Sequence, residues 1–156
     1  MAYHSPMEGC PDKYTKWKCS KWRHNFGFPA EEHFYNYWYA KEHIRRDGVA
    51  IIVESPGNVW RIEEAGIPYS IGSFGAHITP GQRGILDNSG ALALIVLTDP
   101  DQAGILAREA IEKECGKSYS TYYPKLNNID IGETDAAEVK EKLDPVIEMV
   151  KRDLGI

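Results

Sequence analysis

VAIIVESPGNVWRIEEAG (residues 49–66) and ALALIVLTDPDQAG (residues 91–104) decide the fold. Each opens on an apolar run without alternation, the pattern of a strand covered on both faces. Each run then breaks at a turn, Ser55-Pro56-Gly57 in the first and Asp99-Pro100-Asp101 in the second, and helical sequence follows. Strands that alternate with helices at this rhythm need crossovers, because parallel neighbours cannot be joined by a tight hairpin. The expectation is an α/β fold with a central, mostly parallel four-stranded sheet flanked by helices.

Between these stretches, IPYSIG (67–72) reads as a strand and TPGQRGIL (79–86) as a helix that Thr79 caps and Pro80 opens. DQAGILAREAIEKEC supplies a helix that Gly116 ends, and SYSTYYPKL (118–126) a fourth strand. Asp135 and Glu138 have the spacing of a capping box for a C-terminal helix, which Pro145 starts or kinks. Upstream, AEEHFYNYWYAKEHIRR (30–46) predicts one helix with acids first and arginines last, stopped by Asp47-Gly48. The composition changes near residue 48, which predicts an aromatic and basic helical extension over 1–48 and the α/β domain over 49–156.

The chain has 156 residues, 42% hydrophobic and 26% charged, which suits one soluble globular domain with an appendage. No apolar run approaches about eighteen residues, so no membrane span is expected. MAYHSPMEGC lacks a basic stretch followed by an apolar one, so the expected location is the cytoplasm. Cys10, Cys19 and Cys115 are odd in number and widely spaced, which predicts reduced thiols. Cys10, Cys19 and His24 lack a close cysteine pair and a fourth ligand, so no zinc is expected.

The net charge of −5 hides an asymmetry: KYTKWKCSKWRH (13–24) holds Lys13, Lys16, Lys18, Lys21 and Arg23 and no acid. Interleaved with Tyr14, Trp17 and Trp22, these cations suit phosphate contact with rings stacked on bases, or equally a solvated basic loop anchored by its tryptophans. Trp17, Trp22, Trp38 and Trp60 are expected to pack the extension onto the core.

Ligands of an open parallel sheet gather at the carboxyl ends of its strands. Glu54 closes the first strand, and Asp99 closes another with Asp101 two residues on. Taken singly, Asp99 reads as a helix cap and Glu54 as a surface residue. Three carboxylates on one edge would repel unless a cation joined them, and oxygen donors of this kind suit Mg²⁺, with Mn²⁺ as a substitute.

The two stretches resemble the Toprim signature, a glutamate after one buried strand and an Asp-x-Asp after another. Toprim domains occur in DnaG-type primases, type IA and type II topoisomerases, OLD-family nucleases, M5-type RNA maturases and RecR recombination proteins. The resemblance implies that Glu54 handles protons and that Asp99 and Asp101, with Glu54, hold Mg²⁺. FGFPAEEHFYNYWYAKEHIRRDG (26–48) is similar to the segment that precedes the Toprim strand in bacterial and phage DnaG-type primases. IGSFGAHITPGQ (71–82) is similar to a primase loop with a Gly-Thr and a Leu-Thr-x-x-Gln, although Gly75-Ala76 stands where Gly-Thr is usual. LNNIDIGETDAAEVKEKL (126–143) resembles the segment whose Asp-Pro-x-Asp adds outer metal ligands; Asp130 matches the first acid, Gly132 replaces the next, and Glu133 follows as a substitute.

The wording of Glu54-Ser55-Pro56 and Thr98-Asp99-Pro100-Asp101 is nearer to type IA topoisomerases, but the nucleophilic tyrosine domain of those enzymes has no counterpart here. The resemblance implies Mg²⁺-dependent phosphodiester chemistry on nucleic acid, foremost primer synthesis from nucleotides on a single-stranded DNA template. A zinc-binding module and a basic polymerase subdomain, or a helicase, would then act as partners. Two other readings stay open: a Toprim nuclease of the OLD or M5 type, and a non-catalytic RecR-like DNA-binding module.

Overall fold

The computed structural model describes residues 2–3, 22–23, 25–98, 102–126 and 130–156, with side chains from residue 25 onward. The chain divides into two compact units, Met1–Ala30 and Glu31–Ile156. In the first, β1 (Ala2–Tyr3) pairs antiparallel with β2 (Trp22–Arg23). Lys13, Lys16, Lys18 and Lys21, the side chain of Arg23, and the side chains of Trp17 and Trp22 lie outside the described residues.

The second unit runs α1 (Tyr37–Asp47), β3 (Val49–Val53), α2 (Pro56–Glu64), β4 (Ser70–Gly72), α3 (Pro80–Asp87), β5 (Ala93–Leu97), α4 (Gln102–Cys115), β6 (Ser120–Tyr122) and α5 (Ala136–Leu154). Its sheet has the order β4-β3-β5-β6 with every pair parallel. All five residues of β3 and all five of β5 are buried. That is the consequence of covering a sheet on both faces, and it is why those strands are continuously apolar. Among the described residues, no helix is long and apolar enough to cross a membrane.

Local chemistry sets the element ends. Ser55 caps α2 by accepting from the Asn58 N–H at 3.4 Å, with Pro56 in the first turn. Thr79 and Gln82 form a reciprocal capping box on α3, and Asp135 caps α5 by accepting from the Ala137 N–H at 2.8 Å. Gly48, at φ 65°, ends α1 and donates to the Ile44 carbonyl at 2.7 Å before β3 begins.

The helix expected over 30–46 starts later than its sequence suggests. Ala30–Glu32 forms only a 3-10 turn, and α1 begins at Tyr37. The intervening residues are held by partners distant in sequence. The Tyr35 N–H donates to the Gly72 carbonyl at 2.8 Å, and the Gly72 N–H returns a bond to Tyr35 at 3.1 Å. Asn36 turns into the left-handed region at φ 67°, and its amide donates to Glu63 Oε1 at 2.9 Å and to the Ser70 carbonyl at 3.1 Å. A continuous helix would forfeit all four bonds. Pro145 lies inside α5 rather than at its start, at an exposed position where water can satisfy the carbonyl it leaves unbonded.

Asp47 joins the two ends of this unit, accepting from Arg46 Nε at 2.6 Å and from Lys151 Nζ at 3.2 Å. The Arg46 hydrogen bond and then Lys151 hold its carboxyl below the usual range. A depressed folded-state pKa contributes stability above the unfolded value and loses it as pH falls through the folded one. Asp47→Asn should therefore lower stability at pH 7 by less than about 1 kcal/mol, since the pair meets solvent. Urea titrations of variant and wild type should converge progressively below about pH 4.

Candidate functional site

β3 and β5 end level, with Val53 opposite Leu97. Glu54 and Thr98 are the next residues on their strands, and both line a small crevice at the carboxyl edge of the sheet. Ile52, Val96, Ala107 and Ile111 give the crevice an apolar lining, and Ser73, Gly75 and Ala76 contribute from the loop after β4. Glu54 is exposed, so its carboxylate stands where solvent and ligands can reach it.

The loop after β4 is fastened over the end of β3. Ser73 donates its N–H to the Val53 carbonyl at 2.9 Å, and Phe74 donates its N–H to the Glu54 carbonyl at 3.1 Å. The Ser73 hydroxyl donates to the Gly75 carbonyl at 2.6 Å. Phe74 sits at φ 62°, a conformation that costs a non-glycine residue roughly 1–2 kcal/mol and persists because these bonds over-determine it. Gln82 holds the loop from below: its buried carboxamide donates to the Ser73 and His33 carbonyls, both at 2.8 Å, and accepts from the Thr79 N–H at 3.1 Å. At Gly75 an added Cβ would meet no atom within 4 Å. Packing does not demand glycine there, and the small residue keeps that wall of the crevice open.

Asp130 comes to the same end of the sheet by a different route. Its Oδ1 accepts from the Gly132 N–H at 2.9 Å, and a Cβ placed on Gly132 would stand 2.9 Å from Asn58 Oδ1. The Asp130 turn thus lies against the first turn of α2, the helix that opens just after Glu54. Asp99 and Asp101 lie outside the described residues; Asp99 follows Thr98 directly in the chain. Among the described residues, no three His, Cys, Asp or Glu side chains group together as metal ligands. Glu133 and His77 are exposed.

Several participants escape a reading of the sequence. Arg108 on α4 donates its Nε to Thr98 Oγ1 at 2.7 Å, which fixes a guanidinium at the end of β5. The available signal was spacing: Arg108 falls one turn after Gly104, which is buried. Ser73 and Asn58 act through contacts that no local pattern announces, and the Thr79-x-x-Gln82 spacing shows the cap of α3 but not the bonds of Gln82 to the Ser73 and His33 carbonyls. Trp38 is 83% exposed, with Lys41 Nζ 4.2 Å above its ring, and does not pack into the core as expected. Trp60 is half-exposed, stacks edge-on with Tyr35 and donates its indole N–H to the Tyr35 hydroxyl at 2.7 Å.

The strand-end glutamate and the parallel crossovers agree with the family comparison, in which residues 48–121 match the Toprim domain. This segment is a Toprim domain. It runs from the start of β3 into β6. No curated protein sequence matches the chain. Among solved structures, the Aquifex aeolicus primase (zinc-binding and RNA polymerase domains) is similar with a TM-score of 0.61 and 25% identity, over 81% of this chain and 32% of that one. The RNA polymerase domain of Mycobacterium tuberculosis primase DnaG, solved with double-stranded DNA, gives 0.60 and 17% identity over 78% of this chain and 42% of that one. A DnaG primase catalytic domain bound to single-stranded DNA gives 0.59 and 19%, over 81% and 41%. The Toprim domain here therefore has the fold of the DnaG catalytic domains, and the whole chain spans a third to two fifths of the primase chains it matches.

Proposed function

We propose that this chain carries out Mg²⁺-dependent phosphodiester chemistry on nucleic acid, as the Toprim catalytic part of a DnaG-like primase working in the cytoplasm. The observation that carries the reading is the level register of β3 and β5, which sets Glu54 beside Thr98, the residue that runs directly into Asp99-Pro100-Asp101. Glu54 and Asp130 are exposed oxygen donors at one open edge, a chemistry that fits a hard divalent cation and not zinc. Glu54, Asp99, Asp101 and Asp130 would hold the ion, which when bound supplies neutralisation of phosphate charge. Glu54 takes the proton of the attacking hydroxyl, and the apolar wall of Ile52 and Val96 keeps bulk water from the base of the crevice. The likeness to primases supports that branch because it extends over 81% of the chain, beyond the Toprim segment itself.

Lys13, Lys16, Lys18, Lys21 and Arg23 supply weak, sequence-independent affinity for the template strand. A gel assay with labelled single-stranded DNA and Mg²⁺, with and without ribonucleotides, tests both parts. New short RNA is the expected product. Shortened DNA instead would assign a nuclease, and no binding of Mg²⁺ or Mn²⁺ at about millimolar concentration would overturn the catalytic reading. Lys18→Ala with Lys21→Ala should reduce DNA affinity and flatten its fall between about 50 and 200 mM salt. Unchanged binding at low salt would remove the basic stretch from the interface.

A further inference from the structure

We propose that Arg108 is a phosphate-binding residue of this site, whose guanidinium receives a non-bridging phosphate oxygen of the substrate beside the acidic edge. The proposal rests on the catalytic reading above and adds to it a cation on the protein.

Three arginines among the described residues are half-buried, Arg61, Arg83 and Arg108. Arg61 is paired with Glu64, and Arg83 with Asp87. Arg108 makes no ion pair within the described residues. Its partner is a hydroxyl, Thr98 Oγ1 at 2.7 Å, on the residue just before Asp99. The helix offers no alternative. One turn back stands Gly104, and one turn on stands Glu112, the natural (i, i+4) partner. Glu112 is engaged elsewhere: it accepts from Thr121 Oγ1 at 2.6 Å and from the Tyr123 hydroxyl at 2.9 Å, and these two bonds hold its carboxyl below the usual range. A guanidinium has five N–H donors in a fixed plane. The Thr98 tether uses one, at Nε, and orients the fork of terminal nitrogens that matches two oxygens of a phosphate.

Charge balance gives this cation a purpose. Glu54, Asp99 and Asp101 carry three negative charges, and one divalent ion returns two, so an approaching phosphate still meets net repulsion. A fixed arginine at the same strand end offsets it, and a clamp of ion and arginine on one phosphate is a general solution in phosphoryl chemistry. Thr98, to which the guanidinium is bonded, lines the crevice, so the guanidinium stands at the crevice margin.

The phosphate can belong to a nucleoside triphosphate or to a nucleic-acid strand, and two probes separate them: ATP, and an oligothymidylate with a 5′-hydroxyl. Their binding to the full chain is measured in Mg²⁺ by calorimetry or anisotropy for wild type, Arg108→Gln, Arg108→Lys and Thr98→Val, with Mg²⁺ binding titrated separately. Arg108→Gln should weaken one or both probes by about tenfold. Arg108→Lys should recover part of the loss, and Thr98→Val, which keeps the charge but frees its tether, should fall between. Mg²⁺ alone should bind the Gln variant as well as wild type or better, a result that a merely structural arginine would not give. Equal binding of both probes by Arg108→Gln and wild type would overturn the proposal and leave the metal site standing, as would wild type that binds Mg²⁺ but neither probe. If wild type binds no divalent ion, the catalytic reading falls instead, and the same comparison made in EDTA still decides whether Arg108 holds phosphate.

Discussion

Asp99→Asn combined with Asp101→Asn should lower metal-dependent turnover by at least about a hundredfold, the scale on which loss of preorganised charge stabilisation is felt. Asparagine keeps the size of each side chain and removes its charge, so the carboxylates that an ion needs disappear while Pro100 between them is unchanged. The same substitution should leave DNA binding in EDTA intact or tighter, because removing negative charge cannot weaken attraction to phosphate. The gel assay reads the first effect and anisotropy the second. An undiminished rate would place the chemistry away from this strand end.

Gln82→Leu should lower stability by about 3 kcal/mol, because leucine replaces the volume but strands the Ser73 and His33 carbonyls and the Thr79 N–H that the carboxamide satisfies. Gln82 is 1% exposed, so water has little access to repair them. The loop that closes the crevice should loosen with it, since Ser73 loses its fastening from below. Urea titration measures the first effect, and faster hydrogen exchange at the Phe74 N–H reports the second. A loss under about 1 kcal/mol would mean that the stranded carbonyls find other donors.

The parallel core was legible because β3 and β5 are continuously apolar runs cut by turn residues, a pattern with few other readings. Glu54 was legible for the same reason, as the first polar residue past such a run. The start of α1 was not. AEEHFYNYWYAKEHIRR has the composition of one helix, and only the pairing of Tyr35 with Gly72 and of Asn36 with Glu63 and Ser70 interrupts it, contacts that form across roughly thirty residues of chain. Arg108 and the long-range bonds of Gln82 were opaque on similar grounds. Arg108 is an ordinary helical residue in sequence and the Thr79-x-x-Gln82 spacing shows only a cap, while each role depends on a partner from another element, Thr98 for one and His33 with Ser73 for the other. Asp130 could be placed from the resemblance, whereas its approach to Asn58 follows from how the chain returns to α2 after β6.

Sheet margins invite strangers. An outer strand with unpaired N–H and C=O groups is a template on which another chain can add itself, and proteins commonly blunt such margins. Here the outer strands β4 and β6 are three residues each. Tyr35 exchanges both of its backbone hydrogen bonds with Gly72, so β4 presents still less free backbone than its length suggests. At β6 the side chains of Thr121 and Tyr122 are drawn to Glu112 and Asp153. Little ladder is left for strand addition at either margin of this sheet. Association of the domain with another protein would therefore run through side chains, and the same blunted margins guard a concentrated solution of the chain against edge-to-edge aggregation.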